Sequence, residues 1–168
     1  MKTQYGATVR QMRTPEDAAE IVDMARELAL AVQDPRPPVS AESLLRDGLG
    51  PERWFDGWLA ETDGRVCGYA LTCRGFEAHT GKKRLWLGDL YVRESARNRG
   101  TGRALLEMLA RYAIECGCDA IYWELWRQNR TGRAFYERLN AQELADLAIM
   151  RLDTTTWLAT LSVPGDRG

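Results

Sequence analysis

The stretch that most constrains the fold is an apolar run, a basic glycine-bearing loop and a leucine-rich run, in that order. Leu87-Gly-Asp-Leu-Tyr-Val92 is followed by Arg93 to Gly102 and then by Arg103 onward. Leu85 to Val92 reads as a strand. Leu105, Leu106, Leu109, Tyr112 and Ala113 recur at helical spacing, so Ala104 to Glu115 reads as a helix that Gly117 stops. The first amides of a helix have no partner inside it, and the helix dipole favours negative charge there. Gly100 and Gly102 let the backbone approach a phosphate without a Cβ in the way. Arg97, Arg99 and Arg103 add positive charge around the same turn. A diphosphate is the natural tenant. No Gly-Lys-Ser/Thr follows, which argues against nucleotide hydrolysis. Leu105 stands where a dinucleotide fingerprint needs its third glycine.

That positive charge is local. The chain carries 23 Lys plus Arg against 24 Asp plus Glu, a net charge of −1. Such a balance gives no general pull toward nucleic acid or an acidic membrane surface, so neither is expected as a partner. No apolar stretch is long enough to span a bilayer, and Met1 to Tyr5 lacks the apolar core of a signal peptide. A cytoplasmic protein is the expectation. Cys67, Cys73, Cys116, Cys118 and the single His79 show no metal-ligand spacing, so no metal is expected and the cysteines read as buried thiols. His79 reads as a loop residue. At 168 residues the chain suits one domain, 1–168, with its core over about 7–152 and a tail over 153–168 whose end, Pro164 to Gly168, is a candidate for disorder.

The remaining elements follow from pattern and punctuation. Ala7 to Met12 alternates as a strand, and Thr14-Pro15-Glu16-Asp17 opens a helix that runs through Ile21, Met24, Ala25, Leu28 and Leu30. Asp34-Pro35-Arg36-Pro37-Pro38 stops it. Ser40 to Ser43 opens a second helix through Leu49. Trp54 to Glu61 and Val66 to Thr72 read as strands joined by the hairpin turn Asp63-Gly64, and a loop then holds His79 and Lys82-Lys83-Arg84. Ala120 to Trp126 reads as a strand, Thr131 to Leu139 as a helix and Ala145 to Leu152 as a last strand, with a weakly marked helix at Thr155 to Leu161. The order β-α-α-β-β-β-α-β-α-β is a mixed α/β layer structure.

Two motifs carry a resemblance. Val92-Arg-Glu-Ser-Ala-Arg97-Asn-Arg-Gly100-Thr-Gly102-Arg-Ala-Leu-Leu106 resembles the GNAT N-acetyltransferase signature, Arg/Gln-x-x-Gly-x-Gly/Ala between a strand and a Leu-rich helix. Asn129 to Ala141, with Phe135, Tyr136 and Leu139, resembles the family's second motif. Leu44-Leu-Arg-Asp-Gly48-Leu-Gly50, Leu87-Gly-Asp89-Leu-Tyr-Val and Trp123, six residues before Asn129, are similar to the diamine branch, the spermidine/spermine and thialysine type.

The resemblance implies a mostly antiparallel central sheet flanked by helices, acetyl-CoA as co-substrate and a homodimer. It implies that the backbone of Leu90, Tyr91 and Val92 holds the pantetheine arm and polarises the thioester carbonyl. Arg97, Asn98, Arg99, Gly100, Thr101, Gly102 and Arg103 would hold the diphosphate. Asn129 and Phe135 would line the cofactor, with Asn129 equally suited to capping the next helix. Tyr136 would protonate the departing thiolate. Asp89 and Glu124 are candidates for anchoring the acceptor's ammonium or passing its proton to water, and Trp86, Trp123 and Trp126 for an aromatic wall beside it. The diamine branch has Glu-Asp where this chain has Gly88-Asp89, and Asp-Trp-Asn where it has Arg127-Gln128-Asn129. Fewer carboxylates weaken the capture of a polyamine, and Arg127 suits an acceptor with its own carboxylate, such as a diamino acid. The expected reaction is direct transfer to a small-molecule primary amine. A protein lysine or N-terminal acetyltransferase and a non-catalytic acyl-CoA-binding module remain as alternatives.

Overall fold

The computed structural model describes residues 6–34 and 39–161, so Pro35 to Pro38 and the tail from 162 lie outside the described residues. The chain divides into two compact units, Met1–Glu124 and Leu125–Gly168.

The first unit runs β1 (Thr8–Gln11), α1 (Pro15–Ala31), α2 (Ala41–Leu49), β2 (Asp56–Thr62), β3 (Arg65–Glu77), β4 (Lys82–Val92), a 3-10 turn (Glu94–Ala96), α3 (Thr101–Glu115) and β5 (Cys118–Tyr122). The sheet order is β1-β2-β3-β4-β5; the first four strands are antiparallel and β5 joins β4 in parallel. This is the mixed, mostly antiparallel α/β sheet flanked by helices that the sequence implies.

Local chemistry explains the ends of these elements. Thr14 accepts from the Asp17 amide while Asp17 reaches back to the Thr14 amide, and Pro15 occupies the first helical turn of α1. Asp17 also accepts from the Arg13 amide at 2.7 Å and takes both arms of the Arg10 guanidinium at 2.7 and 2.8 Å. The hydrogen bond from Arg10 holds its carboxyl below the usual aspartate value, and Arg10 itself is pushed upward by the same contact. Asp63 and Gly64 both have positive φ, 52° and 72°, as the two-residue turn between β2 and β3 requires.

Each face of the sheet buries its own cluster. Trp58, Ala70, Leu85 and Leu87 pack with Ala104, Leu105 and Leu109 of α3. Leu59, Tyr69 and Tyr91 pack with Ile21, Val22 and Met24 of α1 and Leu44 of α2. One irregularity decides which residue faces which cluster. Leu71 pairs with Asp89 and Thr72 with Leu87, so Gly88 is an extra residue in β4. Before it, odd residues (Leu85, Leu87) face α3; after it, even residues (Leu90, Val92) pack on that side and Tyr91 faces α1. Simple alternation puts Leu87, Asp89 and Tyr91 on one face. The bulge separates Leu87 from the other two.

Several boundaries differ from the sequence reading. Lys82 to Arg84 belong to β4 and not to a loop, because the β3–β4 hairpin extends over charged cross-strand pairs, with Glu77 opposite Lys82 and ion-paired to Arg84. The strand expected at Trp54 starts at Asp56, and Trp54 is 75% exposed. β5 stops at Tyr122, not at Trp126.

In the second unit α4 (Arg130–Glu137) and α5 (Thr154–Leu161) are helical. Asn129 caps α4 by accepting from the Gly132 amide at 2.8 Å. At the other end Asn140, φ 59°, is the left-handed residue, and the Ala141 amide returns to the Tyr136 carbonyl. The strand expected over Ala145 to Leu152 does not form. That backbone is irregular with exposed side chains, and the described residues of the second unit include no strand with which the run could pair. No helix among the described residues is long and apolar enough to cross a membrane.

Candidate active site

The loop after β4 is shaped by two left-handed residues, Asn98 (φ 58°) and Gly100 (φ 86°). Gly100 is the N-cap of α3 and provides no side-chain cap; no acid sits in the first turn. The contrast with its neighbours is informative. α1 is capped by Thr14 and carries Glu16 and Asp17 in its first turn; α2 is capped by Ser40 and carries Glu42. Only α3 of these three begins with its positive end unneutralised by its own sequence. Arg97, Arg99 and Arg103 are exposed around it, and buried Thr101 ties the loop down by donating its hydroxyl to the Ala96 carbonyl at 3.2 Å. Thr101 therefore holds the loop's shape through its side chain, a contact that does not use its amide.

β4 leads into this loop and opens away from its neighbour. Parallel pairing with β5 covers Lys83 to Trp86, opposite Cys118 to Tyr122, and goes no farther. From Leu87 to Val92 the ladder is on the β3 side, so one edge of Leu90, Tyr91 and Val92 has no strand partner among the described residues. Arg97 folds back on this edge: its Nε donates to the Val92 carbonyl at 2.9 Å, and its guanidinium lies 5.4 Å from the centre of the Tyr91 ring. The Tyr91 hydroxyl donates to Glu27 of α1 at 3.1 Å, and Arg93 bridges Glu27 and Glu20. Burial, followed by the bond to Glu27, pushes the Tyr91 phenol above its ordinary value.

The candidate substrate residues of this unit do not share one face. Asp89 is half-buried on the α1 side, where the hydroxyl of fully buried Tyr69 donates to its Oδ2 at 3.4 Å. Trp86, between Leu85 and Leu87, points away from the α3 cluster and is exposed, whereas Trp123 packs against that cluster. The two do not form one aromatic wall. Glu124 lies beyond the end of β5 and is exposed. Asp89 is thus the carboxylate held by the sheet. Tyr69 escapes the sequence reading because nothing in a Gly-Tyr-Ala strand marks its hydroxyl; the contact needs the Gly88 bulge.

In the second unit Phe135 and Tyr136 stack at 5.1 Å between ring centres, and burial raises the Tyr136 phenol above its ordinary value. Asn129 uses Oδ1 as the α4 cap, the plainer of its two readings. Any Cβ at Gly132 would sit 2.7 Å from Asn129 Nδ2, so the glycine is what lets the amide lie across the helix start. Arg127 and Arg133 both bind Glu143, at 3.3 and 2.9 Å. The Arg127 guanidinium is engaged there, which weakens its expected role toward a substrate carboxylate.

Residues 20–141 match the family model described as Acetyltransferase (GNAT) family, well over half of the chain. The chain belongs to the GNAT acetyltransferases. Among its curated relatives is the thialysine N-epsilon-acetyltransferase of Mus musculus, 28% identical over 147 residues that cover 82% of this chain and 85% of that protein. The D-amino-acid N-acetyltransferase of Saccharomyces cerevisiae is 36% identical over 105 residues, 61% of this chain and 65% of that one. A solved structure, the ribosomal-protein-alanine N-acetyltransferase of Brucella melitensis biovar Abortus 2308, superposes with a TM-score of 0.72 at 25% identity, over 87% of this chain and 99% of that chain. This GNAT protein is therefore an acyltransferase enzyme, as its two motifs suggest, with relatives in the diamine branch, as Leu44 to Gly50, Leu87 to Val92 and Trp123 suggest.

Proposed function

We propose that this acetyltransferase moves the acetyl group of acetyl-CoA to a primary amine of a small molecule, in the class of diamino acids and related diamines. The observation that carries the reading is the uncapped, acid-free start of α3 directly after a strand edge that β5 leaves at Trp86. The amides at Thr101 and Gly102, with the surrounding arginines, suit a diphosphate. The open edge of Leu90 to Val92 suits an extended arm that carries amide groups, and its amides would face the oxygen that gains charge as the thioester is attacked.

The acceptor nitrogen attacks the thioester carbonyl, the C–N bond forms, and the C–S bond breaks. The ammonium's proton leaves to water or to Asp89 before or during attack, and the Tyr136 phenol gives its proton to the departing thiolate. A phenol raised by burial stays protonated across the working range, the state a general acid needs. Asp89 supplies the charge that favours an ammonium. The names of the mouse and yeast relatives support amino-acid acceptors, and of the two candidate carboxylates only Asp89 lies on a strand of the sheet, fewer than the several ammonium groups of a polyamine would call for.

Both units would serve one transferase domain, since the family match runs through residue 141 and so spans them. A homodimer is supported by the apolar stretch that the second unit leaves uncovered: Leu147, Ile149, Met150 and Leu152 are 62 to 88% exposed. Unpaired thiols support a reducing, cytoplasmic setting.

The test is CoA release from acetyl-CoA against diamines, amino acids and peptides, with Tyr136→Phe alongside. The substitution is expected to lower kcat by about 10²-fold or more while CoA affinity stays within twofold. Preference for a peptide N-terminus would replace the small-molecule reading, and absence of any turnover would leave a binding module.

A further inference from the structure

Asp89 is a carboxylate on a strand, and a carboxylate that must receive an ammonium at one angle needs something to stop it turning. Tyr69 is the largest fully buried side chain among the described residues, at the centre of the sheet on β3. Its backbone neighbour across the ladder is Tyr91, with ring centres 6.4 Å apart. The two phenols of this pair have different acceptors. Tyr91 donates to Glu27 of α1, beside Arg93 and Arg97, whereas Tyr69 donates to Asp89. Burial and the neighbouring Asp89 carboxylate push the Tyr69 phenol far above its ordinary value, so it acts only as a neutral donor. The geometry depends on Gly88 being taken up as a bulge; were Gly88 an ordinary pleat position, Asp89 would face the α3 cluster with Leu87, on the other side of the sheet from Tyr69.

We infer that Tyr69 is a positioning residue for the acceptor: its buried hydroxyl holds Asp89 Oδ2 and so sets the direction in which the carboxylate meets the incoming amine. This rests on the reading of Asp89 as the ammonium's anchor. Tyr69 meets Tyr91 of the thioester edge through its backbone and ring, both of which a phenylalanine keeps, so removal of the hydroxyl alone acts on Asp89. A long hydrogen bond to a charged acceptor supplies less than a short one, which sets the expected effect at roughly three- to tenfold.

The experiment is steady-state kinetics on the full chain with the best primary amine from the acceptor panel, comparing Tyr69→Phe, Asp89→Asn and the double variant. Tyr69→Phe removes one oxygen from a packed ring and should leave the fold intact. It is expected to raise the amine's KM roughly three- to tenfold, with the KM for acetyl-CoA within twofold of wild type. Asp89→Asn should cost more, and adding Tyr69→Phe to it should change the amine's KM by less than twofold, because the acceptor charge is already gone. If Asp89→Asn weakens the amine and Tyr69→Phe does not, the positioning role is wrong and the anchor stands. The role also falls if the two effects simply multiply, since Tyr69 would then act through packing. An unchanged amine KM in Asp89→Asn removes the anchor itself, and the inference with it.

Discussion

Gly102→Glu should make this protein more stable and a worse binder of coenzyme A at the same time. Gly102 is the second residue of α3 and carries helical φ, unlike Gly100, where φ 86° would strain any side chain. Replacing a glycine in a helix gains about 1 kcal/mol in propensity, and a carboxylate in a first turn that has none adds about 0.3–1 kcal/mol against the dipole. For a chain of this size that is roughly a 3–6 °C rise in Tm. The same carboxylate meets the ligand's diphosphate. At about 6 Å and an effective dielectric of about 40, each pair of unit charges costs about 1.4 kcal/mol. Two phosphate charges then cost about 3 kcal/mol, or about a hundredfold in Kd. Thermal melts and titration calorimetry with CoA check both halves, and the affinity gap should narrow as salt is raised. A Kd within threefold of wild type would refute the assignment of the diphosphate to this helix start. A fall in Tm together with affinity would show general damage.

Two further changes, one substitution and one deletion, test the scaffold. Asp17→Asn removes the charge and one of the two oxygens of a carboxylate that accepts four hydrogen bonds of 2.7 to 3.1 Å, and is expected to lose about 3 kcal/mol, roughly 6–12 °C in Tm at neutral pH. Because the Asp17 carboxyl lies below its ordinary 3.8 when folded, that stability is present above pH 3.8 and drains as pH falls through the lowered value, so the wild-type and Asn curves should converge in acid melts. Deleting Gly88 should keep Leu87, Leu90 and Val92 toward α3 and Asp89 and Tyr91 toward α1, because it removes only the residue that has no partner on β3, so near-ultraviolet circular dichroism should still show cooperative unfolding.

What the sequence makes legible is chemistry that acts over a few residues. The Thr14-Pro15-Asp17 start of α1, the Asp63-Gly64 turn, the Asn140 stop and the anion-ready start of α3 each follow from side chains within five positions of one another. What stays hidden depends on partners far along the chain. The bulge at Gly88 exists only relative to β3, and it reverses the face of Asp89, so alternation alone misplaces that residue. The end of β5 is set where β4 stops pairing with it, which the largely apolar stretch from Ala120 to Trp126 does not announce. Residues 145–152 have a strand's composition and no ladder to join. Tyr69 and Trp86 gain or lose their candidate roles through the same register, not through any local motif.

The parting of β4 from β5 after Trp86 leaves part of the sheet's hydrogen bonding to be completed by something other than protein strand. Peptide groups do not stay dry and unpaired, and an extended arm with its own amides is the same kind of object as a strand. Loaded there, a donor would behave as a guest strand woven into the middle of the molecule. Occupancy would then be written into the slowing of hydrogen exchange along Leu87 to Val92, on the strand that leads into the loop.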